Sequence, residues 1–550
     1  MLDQTPAKRI SSSAFPLVLA LAVTALAVFF LQRSILNSTG GVFMYPLDDP
    51  FIHMQVARNL AFNQIWGIVP GEFGSASSSI LYTLLLTGIF KLTGVNVAVP
   101  FVLNCIAAFF LLLCIHRWLV RQGVRSTARA IVLLLVVVLV PLPVLIISGM
   151  EHTLQCLFFF LFLTRFSAWL AALGRSKTAI PVDVLLYALL LTAIRYEGLF
   201  PVAIASCLLL YHRKIGPAFL LGAAALLPVI VFGAASIAKG SYFLPNSVLV
   251  KSEGMEMSLR GIAAFVNNIL VNKLTVTKAQ GSVAGVPPPG ISLLSAQRLL
   301  LILPLVWLAC WTRLKTHRAL GHMLALLLLS TLLHLALAST GWFYRYEAYL
   351  IAAAVVLVPA VLLKYTREDI MRFPKPVWGP ALVLAFALLF PFVLRSSAAF
   401  TKAKQACVNI YEQQYQMARF LGTYYDKDVV AANDIGAISL YTNARVVDLW
   451  GLGSIEVARS KKGKYWTPAY LDSFVRAKDV KLAIVYDEWF DPALLGKWSK
   501  VATWQVGDNV ILGGDTVSFY AINAADSGEL QRNLQAFEAQ LPAGVAVRYE

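Results

Sequence analysis

Over its first four hundred positions the chain alternates long apolar runs with short polar connectors, and then its texture changes. Eleven runs are charge-poor and long enough, or nearly so, to cross the ~30 Å hydrocarbon core of a bilayer as helices. They are 14–31, 98–116, 130–149, 154–173, 179–194, 198–211, 216–238, 296–312, 319–339, 346–363 and 377–396. The first follows Lys8 and Arg9 and ends at Gln32-Arg33 without a small-residue cleavage site, so it reads as a retained anchor and not as a signal peptide. Beyond about residue 400, aromatic and polar residues mix with β-type segments. The pattern predicts strands over 428–432, 481–486, 509–512 and 517–522, and helices near 403–422 and 526–540.

Charge sharpens this picture. Residues 1–399 hold 30 Lys and Arg against 12 Asp and Glu, whereas 400–550 hold 16 against 17, so the net +17 comes from the apolar part. Its basic residues cluster in connectors: Arg117/Arg121/Arg125/Arg129, Arg175/Lys177, Arg213/Lys214, Arg313/Lys315/Arg318 and Lys364/Arg367/Arg372/Lys375. With the N-terminus in the cytoplasm, every cluster falls on the cytoplasmic side, as the positive-inside rule requires. That excludes a nucleic-acid footprint. The count closes only if 79–91 does not span, which predicts a juxtamembrane helix at the outer interface. Six scattered Cys without a C-x-x-C exclude a zinc knuckle or redox pair. The expected fold is therefore an α-helical polytopic membrane protein of about eleven spans, with outer loops 33–97 and 239–294 in a membrane domain 1–399. A C-terminal extracytoplasmic α/β or α+β domain follows over 400–550.

This topology gathers the unusual polar segments on the outer face. Asp48-Asp49 is the strongest: adjacent carboxylates repel, so such a pair protonates one member or binds a cation, and either state suits base catalysis or metal work. The competing reading is a solvated turn, with Asp at an N-cap and Pro50 opening a helix. Glu151 with His152, Arg195 with Glu197, and Arg345 with Glu347 read singly as local pairs at span ends. The 242–251 segment adds a Pro245-Asn246 turn and Lys251, the 74–79 loop is a small-residue turn and cap, and 286–290 is a stiff linker. Cations and carboxylates converging on one vestibule are what phosphate-ester chemistry at a lipid interface needs, cations holding the phosphate leaving group and a carboxylate deprotonating an acceptor hydroxyl.

The series Leu47-Asp-Asp-Pro-Phe-Ile-His-Met-Gln-Val-Ala-Arg-Asn-Leu60, 74–83, Ser148-Gly-Met-Glu151, Leu191-Thr-Ala-Ile-Arg-Tyr-Glu-Gly198, Leu244-Pro-Asn-Ser247 with Lys251, Arg345-Tyr346, Asn433-Asp-Ile-Gly-Ala437 and Val446-Val-Asp-Leu449 resembles the GT-C class of membrane glycosyltransferases, which use polyprenyl-phosphate sugars. Within that class it is most similar to the bacterial group containing the terminal arabinofuranosyltransferases of the actinobacterial cell wall. It departs from that group's pattern where Ser79 follows Ser77-Ser78 in place of Pro, and where Tyr196 stands between Arg195 and Glu197 in place of Pro. The resemblance implies an inverting transfer of a sugar, a pentose favoured over a hexose, from a polyprenyl-phosphate donor to a glycan, lipid or protein acceptor at the outer face of the bacterial inner membrane. Asp48 or Asp49 would be the general base, the first favoured. Arg195, Lys251 and Arg345 would bind the donor phosphate, and His53, Glu151, Glu197 and Asn246 would bind substrate. A divalent cation (Mg, Mn or Ca) stays open. The rival readings are a transporter or flippase of a lipid-linked sugar and a non-catalytic sensor or scaffold.

Overall fold

Proline and charge, more than hydrophobicity, decide where the apolar runs become helices and where they break. The computed structural model describes residues 13–173, 179–251, 290–363 and 378–550. Among the described residues, seven helices are long and apolar enough to cross a membrane: Phe15–Ser38, Val99–Arg121, His152–Ala172, Ile215–Ala238, Ile291–Ala309, Arg318–Leu337 and Val383–Tyr424. The other four expected spans are shorter helices, Ser126–Leu139, Val182–Ile194, Leu199–Tyr211 and Ala348–Leu362, of 14, 13, 13 and 15 residues. The basic clusters at 175/177 and 364–375, the 286–290 linker up to Gly290, which opens helix Gly290–Ala309, and most of the 239–294 loop lie outside the described residues.

The run 130–149 is not one helix. It breaks at Pro141, whose ring removes a backbone donor, and resumes as Leu142–Ile147. Carbonyls freed by such a break must be met by neighbours inside a bilayer. Here Leu139 O accepts from Arg395 Nη1 at 3.4 Å, and Val138 O accepts from Ser396 Oγ. The break delivers the chain to Ser148-Gly149-Met150-Glu151. Gly149, at φ +66°, lies where a Cβ would enter the Tyr45 ring, so the turn needs glycine. The segment 79–91 forms a helix, Ile80–Thr93, with Ser79 Oγ accepting from Tyr82 N at 3.3 Å as its N-cap.

A continuous helical rod, Trp378–Ile410 followed by a π-helical turn Tyr411–Tyr415 and Gln416–Tyr424, carries the chain through the position 399/400. Beyond it lies a six-stranded mixed sheet. Its strands are β1 (Val429–Ala432), β2 (Arg445–Asp448), β3 (Leu482–Val485), β4 (Ser499–Val506), β5 (Thr516–Ala521) and β6 (Val545–Tyr549), in the order β2-β1-β3-β5-β4-β6. β1 pairs in parallel with β2 and β3, and the rest pair antiparallel. The predicted strand at 509–512 is instead a side-chain-built turn: Asn509 Oδ1 accepts from Ile511 N and Leu512 N at 3.0 and 2.8 Å.

The loop after the first helix is built into this second part. Ile52, Val56, Trp66 and Ile68 share a core with Val430, Ala432, Ile435 and Ile438. Tyr45, Leu47 and Phe51 share another with Ala437, Leu440 and Leu512. Arg445 repeats the connection by pairing with Glu72, and the segment after helix Ile215–Ala238 is tied to the same part, Arg459 donating to Gly240 O and Lys462 Nζ lying 4.5 Å from the Tyr242 ring centre. The Asp48-Asp49 segment is thereby held between the membrane helices and the sheet.

Candidate active site

Asp48 occupies the N-cap position of helix Asp49–Asn63, but its side chain accepts nothing from that helix. It caps another. Asp48 Oδ2 accepts from Gly436 N at 2.6 Å and Oδ1 from Ala437 N at 2.8 Å, at the start of helix Gly436–Tyr441 just beyond β1. Helix N-termini of this kind favour anions. Gly436 is required there because a Cβ would sit 2.7 Å from Asp48 Cγ. Burial pushes the Asp48 carboxyl up, the like charge of Asp434 adds to this, and the two backbone donors pull it back, leaving it at about 7.

Asp49 turns the other way. Its Oδ2 accepts from Arg345 Nη2 at 2.5 Å, across a separation of 296 residues. Arg345 follows three consecutive residues, Trp342, Phe343 and Tyr344, at positive φ (37°, 60° and 60°), a conformation costly for side chains of this size. The turn is held from outside: Glu347 Oε2 accepts from Gly341 N at 2.8 Å, Glu347 Oε1 pairs with Arg395 Nε at 2.6 Å, and Arg395 Nη2 donates to Tyr344 O. Arg345 and Glu347, two residues apart in sequence, thus do not pair with each other. Glu347 and Arg395 are fully buried and serve the turn, which leaves Arg345 to the site. Arg345 Nε and Nη1 are buried without a hydrogen-bond partner among the described residues.

A second charged group lies where helix Val182–Ile194 gives way to the turn Tyr196–Gly198. Arg195 forks onto Glu197, Nη2 to Oε1 at 2.5 Å and Nε to Oε2 at 3.0 Å, while its Nη1 reaches Glu151 Oε1 at 2.8 Å and Ser78 Oγ at 3.4 Å. Its whole guanidinium is engaged. Tyr346 bridges the two arginines, its ring centre 5.5 Å from Arg195 Cζ and 5.1 Å from Arg345 Cζ. The 74–79 loop ties these parts together. Ser77 Oγ lies 3.0 Å from His53 Nδ1, and Ser75 Oγ accepts from Asn246 N at 3.1 Å.

His53 is buried, with Nε2 3.7 Å from Glu151 Oε2, and burial lowers its pKa, so it stands neutral near pH 7. Glu151 therefore meets His53 and Arg195, not its sequence neighbour His152. Asn246 is completely buried, yet neither side-chain atom has a partner among the described residues, and the same holds for both ring nitrogens of His152. Buried orphan polar atoms of this kind call for a partner, which a water, an ion or a ligand can supply. Lys251 ends helix Asn246–Lys251, and its side chain lies outside the described residues. Among the described residues, no three His, Cys, Asp or Glu side chains gather as ligands for a metal ion.

Four contributors had no role assigned from sequence. Tyr346 and Asp434 were visible only as letters within motifs. Arg395 ended an apolar run, and Gln414, which donates to Asp434 Oδ2 at 2.9 Å, carried no signal at all.

Comparison with known proteins places this architecture. Residues 408–520 match a family model described as a domain of unknown function, DUF8728. No curated protein matches the chain. Two solved structures match almost end to end, both of ArnT from Cupriavidus metallidurans. The form bound to undecaprenyl phosphate is 12% identical, with a TM-score of 0.50 over 93% of this chain and 99% of that one. The apo form is 12% identical, with a TM-score of 0.51 over 94% and 99%. Identity this low carries the fold: the chain has an ArnT-like GT-C architecture of apolar helices with a C-terminal α/β domain.

Proposed function

We propose that the protein is a membrane glycosyltransferase that moves a sugar from a polyprenyl-phosphate donor to a hydroxyl-bearing acceptor. One observation carries the reading. A carboxyl poised near neutrality, Asp48, stands next in the chain to an acid, Asp49, that holds a buried arginine with two unpartnered nitrogens, Arg345. The fold, shared with a protein crystallised with undecaprenyl phosphate, supports the lipid-phosphate part of the reading.

In this mechanism the acceptor hydroxyl gives its proton to the Asp48 carboxylate. Its oxygen bonds to the sugar's anomeric carbon as the bond from that carbon to the phosphate oxygen breaks, with inversion. The polyprenyl phosphate leaves with the electron pair, and its new charge falls on Arg345 Nε and Nη1, whose third nitrogen stays on Asp49. A general base works best with a pKa near the working pH, and Asp48 meets that condition. Asn246 and His152 offer their free polar atoms to sugar hydroxyls. Arg195, already forked onto Glu197 and Glu151, stiffens the wall beside the donor and reaches the phosphate only by exchanging a carboxylate for it. Lys251 supplies a further cation from the 242–251 segment, and a divalent cation remains a candidate helper at the phosphate. The donor sugar in this reading is a pentose such as arabinofuranose, with a hexose as the alternative, and the acceptor is a glycan, lipid or protein at the outer face of the inner membrane, on which side the C-terminal domain lies.

The test offers purified protein in nanodiscs a panel of radiolabelled polyprenyl-phosphate pentoses and hexoses with membrane acceptors. The reading predicts a new glycosidic bond with one donor. Movement of the donor across the bilayer without a new bond would replace it with a flippase.

A further inference from the structure

Two residues before the backbone donors that hold the proposed base stands a second, half-buried carboxyl that the mechanism leaves unused. Asp434 follows β1 by two residues and precedes by two the first of the backbone donors, Gly436 N and Ala437 N, that grip Asp48. Asp434 Oδ2 accepts from Gln414 Nε2 at 2.9 Å and from the Tyr486 hydroxyl at 2.8 Å. Tyr486 follows β3 and is itself buried, its hydroxyl also 2.6 Å from Gln413 Oε1.

The two glutamines reach this point together for a reason visible in the backbone. Successive side chains of a regular α-helix diverge by about 100°. The rod is π-helical over Tyr411–Tyr415, and the widened turn lets adjacent Gln413 and Gln414 both face the sheet, Gln413 Nε2 also donating to Gly514 O at 3.2 Å. Such turns are rare and recur at functional sites. A helix irregularity, a tyrosine from a neighbouring strand and a glycine turn thus converge on one carboxyl next to the base.

Resting on the glycosyltransferase reading, we propose that Asp434 is a positioning residue that shares one proton with Asp48, so that the C-terminal domain sets the protonation state of the base. Two neighbouring carboxyls, each partly shielded from water, do not ionise independently, and they titrate as a pair. The other charged groups facing the pair are Asp49, offset by Arg345, and Asp448 at the end of β2, which accepts four backbone N–H groups. Asp434 is itself raised by burial, against the pull of its Tyr486 and Gln414 donors.

The experiment reads the proton directly. Full-length protein in nanodiscs is treated with dicyclohexylcarbodiimide, which modifies protonated buried carboxyls, across a pH series from about 4 to about 9. Mass spectrometry then gives the labelling midpoint of the Asp48 peptide. Asp434→Asn should move that midpoint down by about one pH unit or more, and the acid limb of sugar transfer should move with it. Tyr486→Phe, which removes a donor to ionised Asp434 and so keeps the shared proton there, should move the midpoint in the same direction and serves if the first variant fails to fold. An unchanged Asp48 midpoint in the folded variants overturns the proposal. A shifted midpoint in a protein that transfers no sugar upholds the shared proton and removes the glycosyltransferase reading instead.

Discussion

A single methyl group at Gly436 separates a catalytic role for the Asp48 clamp from a merely structural one. In Gly436→Ala the new Cβ would lie 2.7 Å from both Asp48 Cγ and Oδ2, closer than carbon and oxygen tolerate, so helix Gly436–Tyr441 or Asp48 must move. Either movement lengthens the two N–H···O bonds now at 2.6 and 2.8 Å. A hydrogen bond to a charged group contributes about 1.5–3 kcal/mol and overpacking costs about 1–3 kcal/mol, so losing one bond places the destabilisation at about 2.5–6 kcal/mol. The catalytic effect is larger than the stability loss implies, because a displacement of about 1 Å at a reacting group reduces the rate about a hundredfold. Its sign with pH is also fixed. The backbone donors lower the Asp48 pKa, so loosening them raises it, and the acid limb of transfer should move to higher pH. The assay is transfer of radiolabelled sugar as a function of pH, beside thermal unfolding. Gly422→Ala is the control, since its Cβ would find nothing nearer than 3.8 Å. A Gly436→Ala protein that transfers within threefold of wild type, with an unmoved acid limb, would refute the reasoning.

Other expectations follow from the same geometry. Transfer by the wild-type protein should fall about tenfold per pH unit below about 7, where Asp48 gains its proton and ceases to act as a base; a pH profile of initial rates checks this. Arg345→Lys should raise the donor KM by about ten- to a hundredfold with the fold intact, because one ammonium cannot serve Asp49 and a phosphate as a fork does; donor titration measures it. Glu347→Gln should destabilise the protein by about 3–5 kcal/mol by leaving buried Arg395 without its counter-charge, seen as a lowered Tm. Asn246→Ala should leave Tm within a degree or two while weakening substrate binding, since its amide bonds nothing among the described residues.

The sequence revealed the elements of the site more readily than their pairing. Asp48-Asp49 stood out because neighbouring carboxylates are costly to keep ionised, and Arg195, Arg345 and Glu151 because charge is expensive beside apolar runs. Which charge meets which is a tertiary matter. Arg345 lies two residues from Glu347, yet it pairs with Asp49, because three left-handed residues turn it inward while Arg395 claims Glu347. The strands divide in the same way. β1 and β3 announced themselves as apolar runs buried on both faces, whereas β2 has only Val446 and Val447 as apolar residues, between exposed Arg445 and buried Asp448. β4 mixes Lys500, Thr503 and Gln505 with buried Trp504, so its period is blurred. At 509–512 an apolar pattern lost to a local one, the Asn509 side chain substituting for a ladder. The π-helical turn left no trace in composition, and with it went Gln414 and the role of Asp434.

The central claim, that Asp48 takes the proton of an acceptor hydroxyl during sugar transfer, is tested most directly by comparing Asp48→Asn and Asp49→Asn in single-turnover transfer and in donor binding with the same folded preparations. The account predicts that Asp48→Asn abolishes transfer while binding donor within a fewfold of wild type. Asp49→Asn, freeing Arg345 from its partner, should retain measurable transfer with altered donor affinity. Transfer by Asp48→Asn at the wild-type rate would contradict the account.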